Sequence, residues 1–295
     1  MLRVVLFTGN EPANNRTRSR RGQHATSRFT SLATALVLAW TCLVLHPGPV
    51  VAGPYPPAAG QPGSSAVAKN DPSITAWATG WTNYLVGSGC NASWQTPEKA
   101  LGPAQGTSTD IVCLGNGGQI TMIFDVFITN GPSWDFAVFE NSFSDNFLEL
   151  GFVEVSSNSV DFFRFPNASL TPNPVSAFGS VDPTNINNLA GKYRQGFGTP
   201  FDLAELDGVS PLLNVNAVTH VRIIDIVGDG VYLDSDGRPI YDPHPTSGSG
   251  GFDLDAVGVL NAAPVPEPSA AVLSASILIV IGACVLRRRG PTVAI

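Results

Sequence analysis

Residues 119–128 read QITMIFDVFI, a run of β-branched and other apolar residues that is typical of a β-strand. Similar runs recur in the central region, separated by clusters of Asn, Gly, Pro, Ser and Asp that favour turns. No central stretch has the periodicity of an amphipathic helix. The pattern predicts an all-β fold, a single antiparallel β-sandwich of jelly-roll type. The other predicted strands are Trp134–Glu140, Leu148–Ser156, Val160–Phe165, Val218–Val227 and Phe252–Leu260.

The N-terminal part of the chain differs from this centre. Residues 1–52 combine an Arg-rich start, the apolar run Ser31–Leu45 and the small residues Val50 to Ala52, which is the pattern of a secretory signal peptide. An uncleaved anchor is the alternative. Residues 53–72 are rich in Pro, Gly, Ala and Ser and predict a flexible lead before the β-sandwich domain, residues 73–263.

The C-terminal part, residues 264–290, contains an uncharged stretch, Pro268–Leu286, which is 19 residues long. That length predicts a transmembrane helix. The three arginines that follow it would hold their end in the cytoplasm and leave the preceding domain outside. These are Arg287, Arg288 and Arg289.

A short motif precedes this helix and consists of Val265, Pro266, Glu267 and Pro268. The motif, the apolar helix and the Arg cluster together resemble the PEP-CTERM sorting signal of exported bacterial proteins. The resemblance implies recognition by an exosortase-type membrane transpeptidase and passage through the inner membrane. Removal of the tail and transfer to the cell surface or extracellular matrix would follow.

The charge of the chain limits its partners. The whole sequence has 23 acidic and 16 basic residues, which argues against a nucleic-acid-binding protein. Without residues 1–52 and 264–295 the exported part keeps seven basic and 21 acidic residues, a net charge of about −14. Cation binding is therefore the first activity to expect.

Several central segments also resemble a jelly-roll module of bacterial cell-surface proteins, similar in fold to galactose-binding-like, discoidin-type β-sandwiches. The resemblance covers residues 77–261 and implies adhesion, glycan binding or a structural role. Its segments are Ala100–Pro103, Leu114–Phe124, Ile128–Gly131, Asp135–Asn141 and Gly251–Val257.

Two cysteines, Cys90 and Cys113, lie in the central domain. An even pair in an exported domain predicts a disulfide. Two buried free thiols and a metal-binding pair are the alternatives.

An acidic stretch between residues 225 and 242 is the candidate metal site. Clustered carboxylates on a Gly-rich loop are typical of Ca²⁺ sites, although the spacing does not fit an EF-hand. The alternative is a plain hairpin turn at Asp234–Gly237. The candidate ligands are Asp225, Asp229, Asp234, Asp236 and Asp242.

Strand alternation in Trp134–Glu140 directs Glu140 inward, where a carboxylate needs a partner. We predict an ion pair between Glu140 and Arg222; a strand that ends at Phe139 and leaves Glu140 solvated is the alternative.

The central region contains no nucleophile elbow, zinc-protease helix or phosphate-binding loop. The sequence therefore predicts a non-enzymatic surface or matrix protein that binds glycans, with a calcium-stabilised loop. The alternative is a secreted carbohydrate-active enzyme that uses paired Asp and Glu residues.

Overall fold

The computed structural model describes residues 52–266, and these form an almost entirely β structure. The strands are β1 (Val67–Ala68), β2 (Ala76–Trp77), β3 (Gly80–Leu85), β4 (Val112–Cys113), β5 (Gln119–Ile128), β6 (Phe136–Glu140), β7 (Gly151–Ser156), β8 (Phe163–Arg164), β9 (Ala168–Ser169), β10 (Ile186–Asn187), β11 (Phe197–Phe201), β12 (Val218–Asp225), β13 (Asp229–Leu233), β14 (Pro239–Tyr241), β15 (Asp253–Val259) and β16 (Ala262–Pro264). Single 3-10 turns lie at Ala92–Trp94, Pro97–Ala100, Pro183–Asn185 and Leu203–Leu206.

The strands form two six-stranded sheets in which every pairing is antiparallel. The first sheet has the order β1-β11-β6-β15-β2, with β4 also paired to β15. The second has the order β16-β5-β12-β7-β8, with β3 also paired to β5. Two small ribbons, β9 with β10 and β13 with β14, complete the strands. The all-β prediction is confirmed.

The largest hydrophobic cluster draws side chains from both sheets. Phe136 and Val257 come from the first sheet, and Ile120 and Val221 come from the second. All four are buried, because alternate residues along each strand point to one face. This shared core holds the ends of the two sheets in fixed positions.

The predicted strand positions agree with the structure. The predicted strand Gln119–Ile128 is β5 with the same bounds. Each of the other five predicted runs contains one observed strand, namely β6, β7, β8, β12 or β15.

The segment 53–72 differs from the prediction of a flexible lead. The Gly53 and Tyr55 amides donate to Thr184, and Val67 pairs with Gly198 in the first sheet. Ala59 is only 3% exposed. Backbone hydrogen bonds and burial therefore fix this Pro- and Gly-rich segment against the rest of the domain.

Within residues 52–266 we find no helix with the length and apolar character needed to cross a membrane. The predicted transmembrane helix lies outside the described residues, as does the predicted signal peptide except for Ala52.

Candidate functional site: an acidic cleft with an aromatic rim

Antiparallel pairing brings acidic residues from both sheets to the same region. Glu140 ends β6 and pairs with Leu254, directly after Asp253, at the start of β15. Asp225 ends β12 and pairs with Gly151, two residues after Glu149. In an antiparallel pair the last residue of one strand lies beside the first residue of its neighbour, so each sheet places acids at such a junction.

Main-chain hydrogen bonds connect the acids of the two sheets. The Gly251 amide donates to Glu149 Oε1 at 3.1 Å, and the next amide, of Phe252, donates to Asp225 Oδ1 at 2.6 Å. The Leu150 amide donates to Asp242 Oδ2 at 2.8 Å. A fourth carboxylate, Glu140, accepts from the Ser142 amide at 2.7 Å, and the fifth, Asp253, accepts from Asn141 Nδ2 at 3.2 Å. We call the five residues the acid cluster: Glu140, Glu149, Asp225, Asp242 and Asp253.

Burial raises the pKa of every member of the acid cluster. Loss of hydration is the largest cause and mutual repulsion adds to it, so the pKa of Glu149 rises to about 8. Burial likewise raises the pKa of Asp225 and of Asp253 to about 7. The pKa values of Glu140 and Asp242 are raised well above their usual range. The cluster therefore holds protons near neutral pH unless a cation neutralises it.

Two members of the acid cluster, Glu149 and Asp253, line an open cleft of about 250 Å³. Asn141 Nδ2 donates to Asp253 Oδ2 at 3.2 Å, and Thr246 Oγ1 donates to Glu149 Oε1 at 2.7 Å. The hydroxyl side chains of the lining are those of Ser108, Thr246, Ser247 and Ser249.

Aromatic rings form the rim of the same cleft. Phe143 stacks on Phe147 with ring centroids 4.6 Å apart, and Phe147 stacks on Phe178 at 6.1 Å. Phe143 is 61% exposed and Phe178 is 83% exposed, although large apolar side chains gain free energy from burial. We call these three residues the aromatic shelf. Trp94 also lines the cleft.

The structure separates the five aspartates of the predicted calcium loop. Asp225 and Asp242 are buried in the acid cluster, whereas Asp229 and Asp236 are exposed. Asp234 forms a salt bridge with Arg238, with Oδ2 2.8 Å from Nε, and accepts the Asp236 and Arg238 amides in a turn. Within residues 52–266 no three His, Cys, Asp or Glu side chains are arranged to hold a metal ion.

The predicted Glu140–Arg222 ion pair does not form. Glu140 is buried, as the alternation predicted, but it lies in the first sheet. Arg222 lies in the second sheet directly opposite Glu154 of β7, and its Nε donates to Glu154 Oε2 at 2.7 Å. Arg164 binds the other oxygen of Glu154 at 2.8 Å. The prediction chose the wrong basic partner for Glu140, because the sequence does not give the order of the strands.

Cys90 and Cys113 are both free thiols, so the predicted disulfide is not present. The two residues are nevertheless neighbours, because the Cys90 thiol donates to the Cys113 carbonyl at 3.6 Å. The Cys113 thiol donates instead to the Gly250 carbonyl at 3.3 Å.

Of the predicted sorting motif the structure describes only Val265 and Pro266, which follow β16 directly. Glu267, Pro268 and the three arginines Arg287, Arg288 and Arg289 lie outside the described residues.

The sequence analysis missed Glu149, Asp253 and the aromatic shelf as site residues. The available signal was an acid at the start of an apolar run, in Leu148–Ser156 and in Phe252–Leu260. An ionised residue inside a strand that is otherwise buried needs an explanation, such as a partner or a ligand.

Comparisons with protein-family models, curated proteins and solved structures found no match for this chain.

Proposed function

We propose that this protein is an exported, non-enzymatic surface or matrix protein whose domain binds glycans in the acidic cleft. The aromatic shelf is the observation that carries the proposal. Its exposed ring faces, on Phe143 and Phe178, offer flat apolar surfaces of the kind on which the apolar face of a sugar ring stacks. The hydroxyl, amide and carboxyl groups below the shelf would accept and donate hydrogen bonds to sugar hydroxyls.

A glycan array with the full-length protein, purified in mild detergent, tests this proposal. We expect Phe178→Ala to weaken binding of any bound glycan by roughly 2- to 10-fold, the value of one aromatic stacking contact. Val160→Ala is the matched control, because Val160 is 77% exposed and does not line the cleft. Equal binding by both variants would contradict the role of the shelf.

The array should be run both with Ca²⁺ and with a chelator, because the sequence analysis also predicts calcium. An array without any bound glycan under either condition would reject the proposed function.

The same proposal includes the fold type and the cellular location of the protein. We assign the two sheets to a β-sandwich of jelly-roll type, supported by their shared core. Export would follow the signal peptide, with sorting at the motif that begins at Val265. The position of the motif supports this route, since β16 ends at Pro264 and no further element separates the domain from the motif.

Cell fractionation tests the sorting route. If an exosortase-type transpeptidase recognises the motif, Glu267→Gln should leave the protein unprocessed in the membrane fraction. Glu98→Gln, an exposed acid in the domain, is the control. An identical distribution of the two variants between membrane and surface would contradict recognition of Glu267.

A carbohydrate-active enzyme is the second candidate, and the two carboxyl groups that line the cleft favour it. A glycosidase needs one protonated and one ionised carboxyl group near neutral pH. Glu149, with its pKa raised to about 8 by burial, is suited to the acid role, beside Asp253. Incubation with the bound oligosaccharides and an assay for new reducing ends decides between the two functions. Release of sugar that Glu149→Gln abolishes would make the protein an enzyme.

A further inference from the structure

The acid cluster has no internal counter-charge. Its five carboxylates are between 0% and 5% exposed. Burying an ionised carboxylate without a partner is costly, and proteins meet this cost with a cation, a bound metal or a proton. Every salt bridge within residues 52–266 involves an acid outside the cluster.

The basic residues of the described region are already engaged elsewhere. Lys99 binds Asp110, and Arg194 binds Asp145. Arg164 and Arg222 share Glu154, and Arg238 binds both Asp234 and Asp236. The remaining two, Lys69 and Lys192, donate to the carbonyl groups of Gln105 and Ile186. No basic side chain of residues 52–266 therefore neutralises the acid cluster, which leaves protons or a bound cation.

Both carboxylates that line the cleft have an oxygen without a hydrogen bond within residues 52–266. Asp253 is 2% exposed and lines the cleft, and its Oδ1 makes no hydrogen bond of good geometry within the described residues, although the Ser249 hydroxyl and the Cys113 thiol lie near the carboxylate. Both hydrogen bonds to Glu149 go to Oε1, and Oε2 receives none within residues 52–266. A buried carboxylate oxygen without a donor is rare in proteins, and it indicates a missing ligand.

Asp225 differs from these two acids. Asp225 accepts one main-chain amide on each oxygen, from Gly117 and from Phe252. It therefore has a structural role and adds negative potential behind the cleft. Of the five acids, Glu149 and Asp253 line the cleft.

We propose that Glu149 and Asp253 at the floor of the cleft bind a divalent cation of the calcium class. Two carboxylates and the hydroxyl oxygen of Ser249, which also lines the cleft, are hard ligands of the type that Ca²⁺ prefers, and water completes its six to eight positions. No histidine or cysteine lines the cleft, so the lining does not favour zinc or copper. This site differs from the calcium loop predicted from the sequence, and it does not depend on glycan binding.

Calorimetry with CaCl₂ alone tests the site in full-length protein that has been stripped with a chelator. We expect binding heat and, at a hundred times the Kd, a rise in Tm of roughly 5–10 °C. Mg²⁺ should give a smaller shift, because it requires a tighter octahedral shell and keeps its waters.

Asp253→Asn is the decisive variant, since it keeps the shape of the side chain and removes its charge. We expect it to lose the calcium-dependent shift while remaining at least as stable as the wild type in chelator. This second measurement separates loss of a ligand from loss of the fold. Asp236→Asn is the control, because Asp236 is exposed and pairs with Arg238 outside the cluster. It should keep the full shift.

The weakest extracellular calcium sites have Kd values of roughly 1 mM, so about 10 mM Ca²⁺ would fill them. The proposal is overturned if the protein shows neither binding heat nor a Tm shift at about 10 mM Ca²⁺. A full calcium shift in Asp253→Asn would also overturn it. Calcium binding without any glycan ligand would leave this site in place and reject only the proposed function. Glycan binding without calcium binding would support the proposed function and reject the calcium site.

Discussion

Replacing Gly251 by alanine should destabilise the protein by about 3 kcal/mol. Gly251 has a φ of +79°, in the left-handed region where a residue with a Cβ loses about 1–2 kcal/mol. A Cβ at this position would lie 2.6 Å from Asp225 Oδ1 and 2.9 Å from the carbonyl carbon of Gly115. The backbone or the carboxylate must move to relieve this contact, which adds about 1–3 kcal/mol.

The control for this prediction is Gly237→Ala. Gly237 has a φ of +80°, but no heavy atom lies within 4 Å of the position that its Cβ would take. It should therefore show only the conformational cost of about 1–2 kcal/mol. Urea unfolding at equilibrium measures both variants, with equal m values as the condition for comparison. Equal losses of stability in the two variants would refute the close approach of Gly251 to the acid cluster.

Three further predictions concern side chains outside the cleft. Glu154→Gln should cost about 2 kcal/mol in urea unfolding, because it removes the buried carboxylate that pairs with the half-buried Arg222 and the exposed Arg164, and the loss should shrink when Arg222→Met is added. Burial lowers the pKa of Lys192 from 10.5 to about 8, a penalty of about 3 kcal/mol for its charged form. Lys192→Met removes this penalty and one hydrogen bond, so it should be more stable than the wild type by about 2 kcal/mol at pH 7. That gain should vanish as the pH rises from 8 to 10.5, where the unfolded wild type binds more protons than the folded form, and a gain independent of pH would contradict burial of the charge. Asp234→Ala should lower Tm because Asp234 accepts the Ser169, Asp236 and Arg238 amides, whereas Asp236→Ala should leave Tm almost unchanged; similar Tm values would contradict the turn.

Strands with a strong local pattern could be predicted from the sequence, and β5 has the predicted bounds. The strand β11 was missed because Phe197–Phe201 reads FGTPF, and Gly and Pro are usual signals for turns. The neighbouring strand β1 pairs only with Phe197 and Gly198, so the rest of β11 has a free edge on which proline is tolerated. Two-residue strands such as β9 are too short to show any period and depend on tertiary contacts.

The sequence pattern could not predict which strands pair with each other. The alternation in Trp134–Glu140 correctly predicted that Glu140 is buried, because that inference needs only the period of one strand. Its predicted partner Arg222 was wrong, because the choice among basic residues needs the strand order of both sheets. The prediction of one calcium site from the five aspartates between residues 225 and 242 disagrees with the structure for a related reason. Asp225 ends a core strand, whereas Asp229 begins the separate ribbon of β13 and β14.

Composition and structure together show which of the acidic residues need a ligand. The sequence shows an acidic excess in the exported part, with seven basic residues against 21 acidic ones, but an excess on the surface needs no ligand because water solvates it. Part of this acidic excess is not solvated, because the fold buries the five residues of the acid cluster and places two of them in the lining of a cleft. Since the basic residues of the described region are engaged elsewhere, those two acids must be neutralised by protons or by a cation that enters from solvent. The two possibilities differ in their pH dependence. A proton-held site loses stability as the pH rises from the ordinary carboxyl pKa of about 4 through the raised pKa values of about 7 for Asp253 and about 8 for Glu149, whereas a calcium-held site keeps its stability over this range when Ca²⁺ is present.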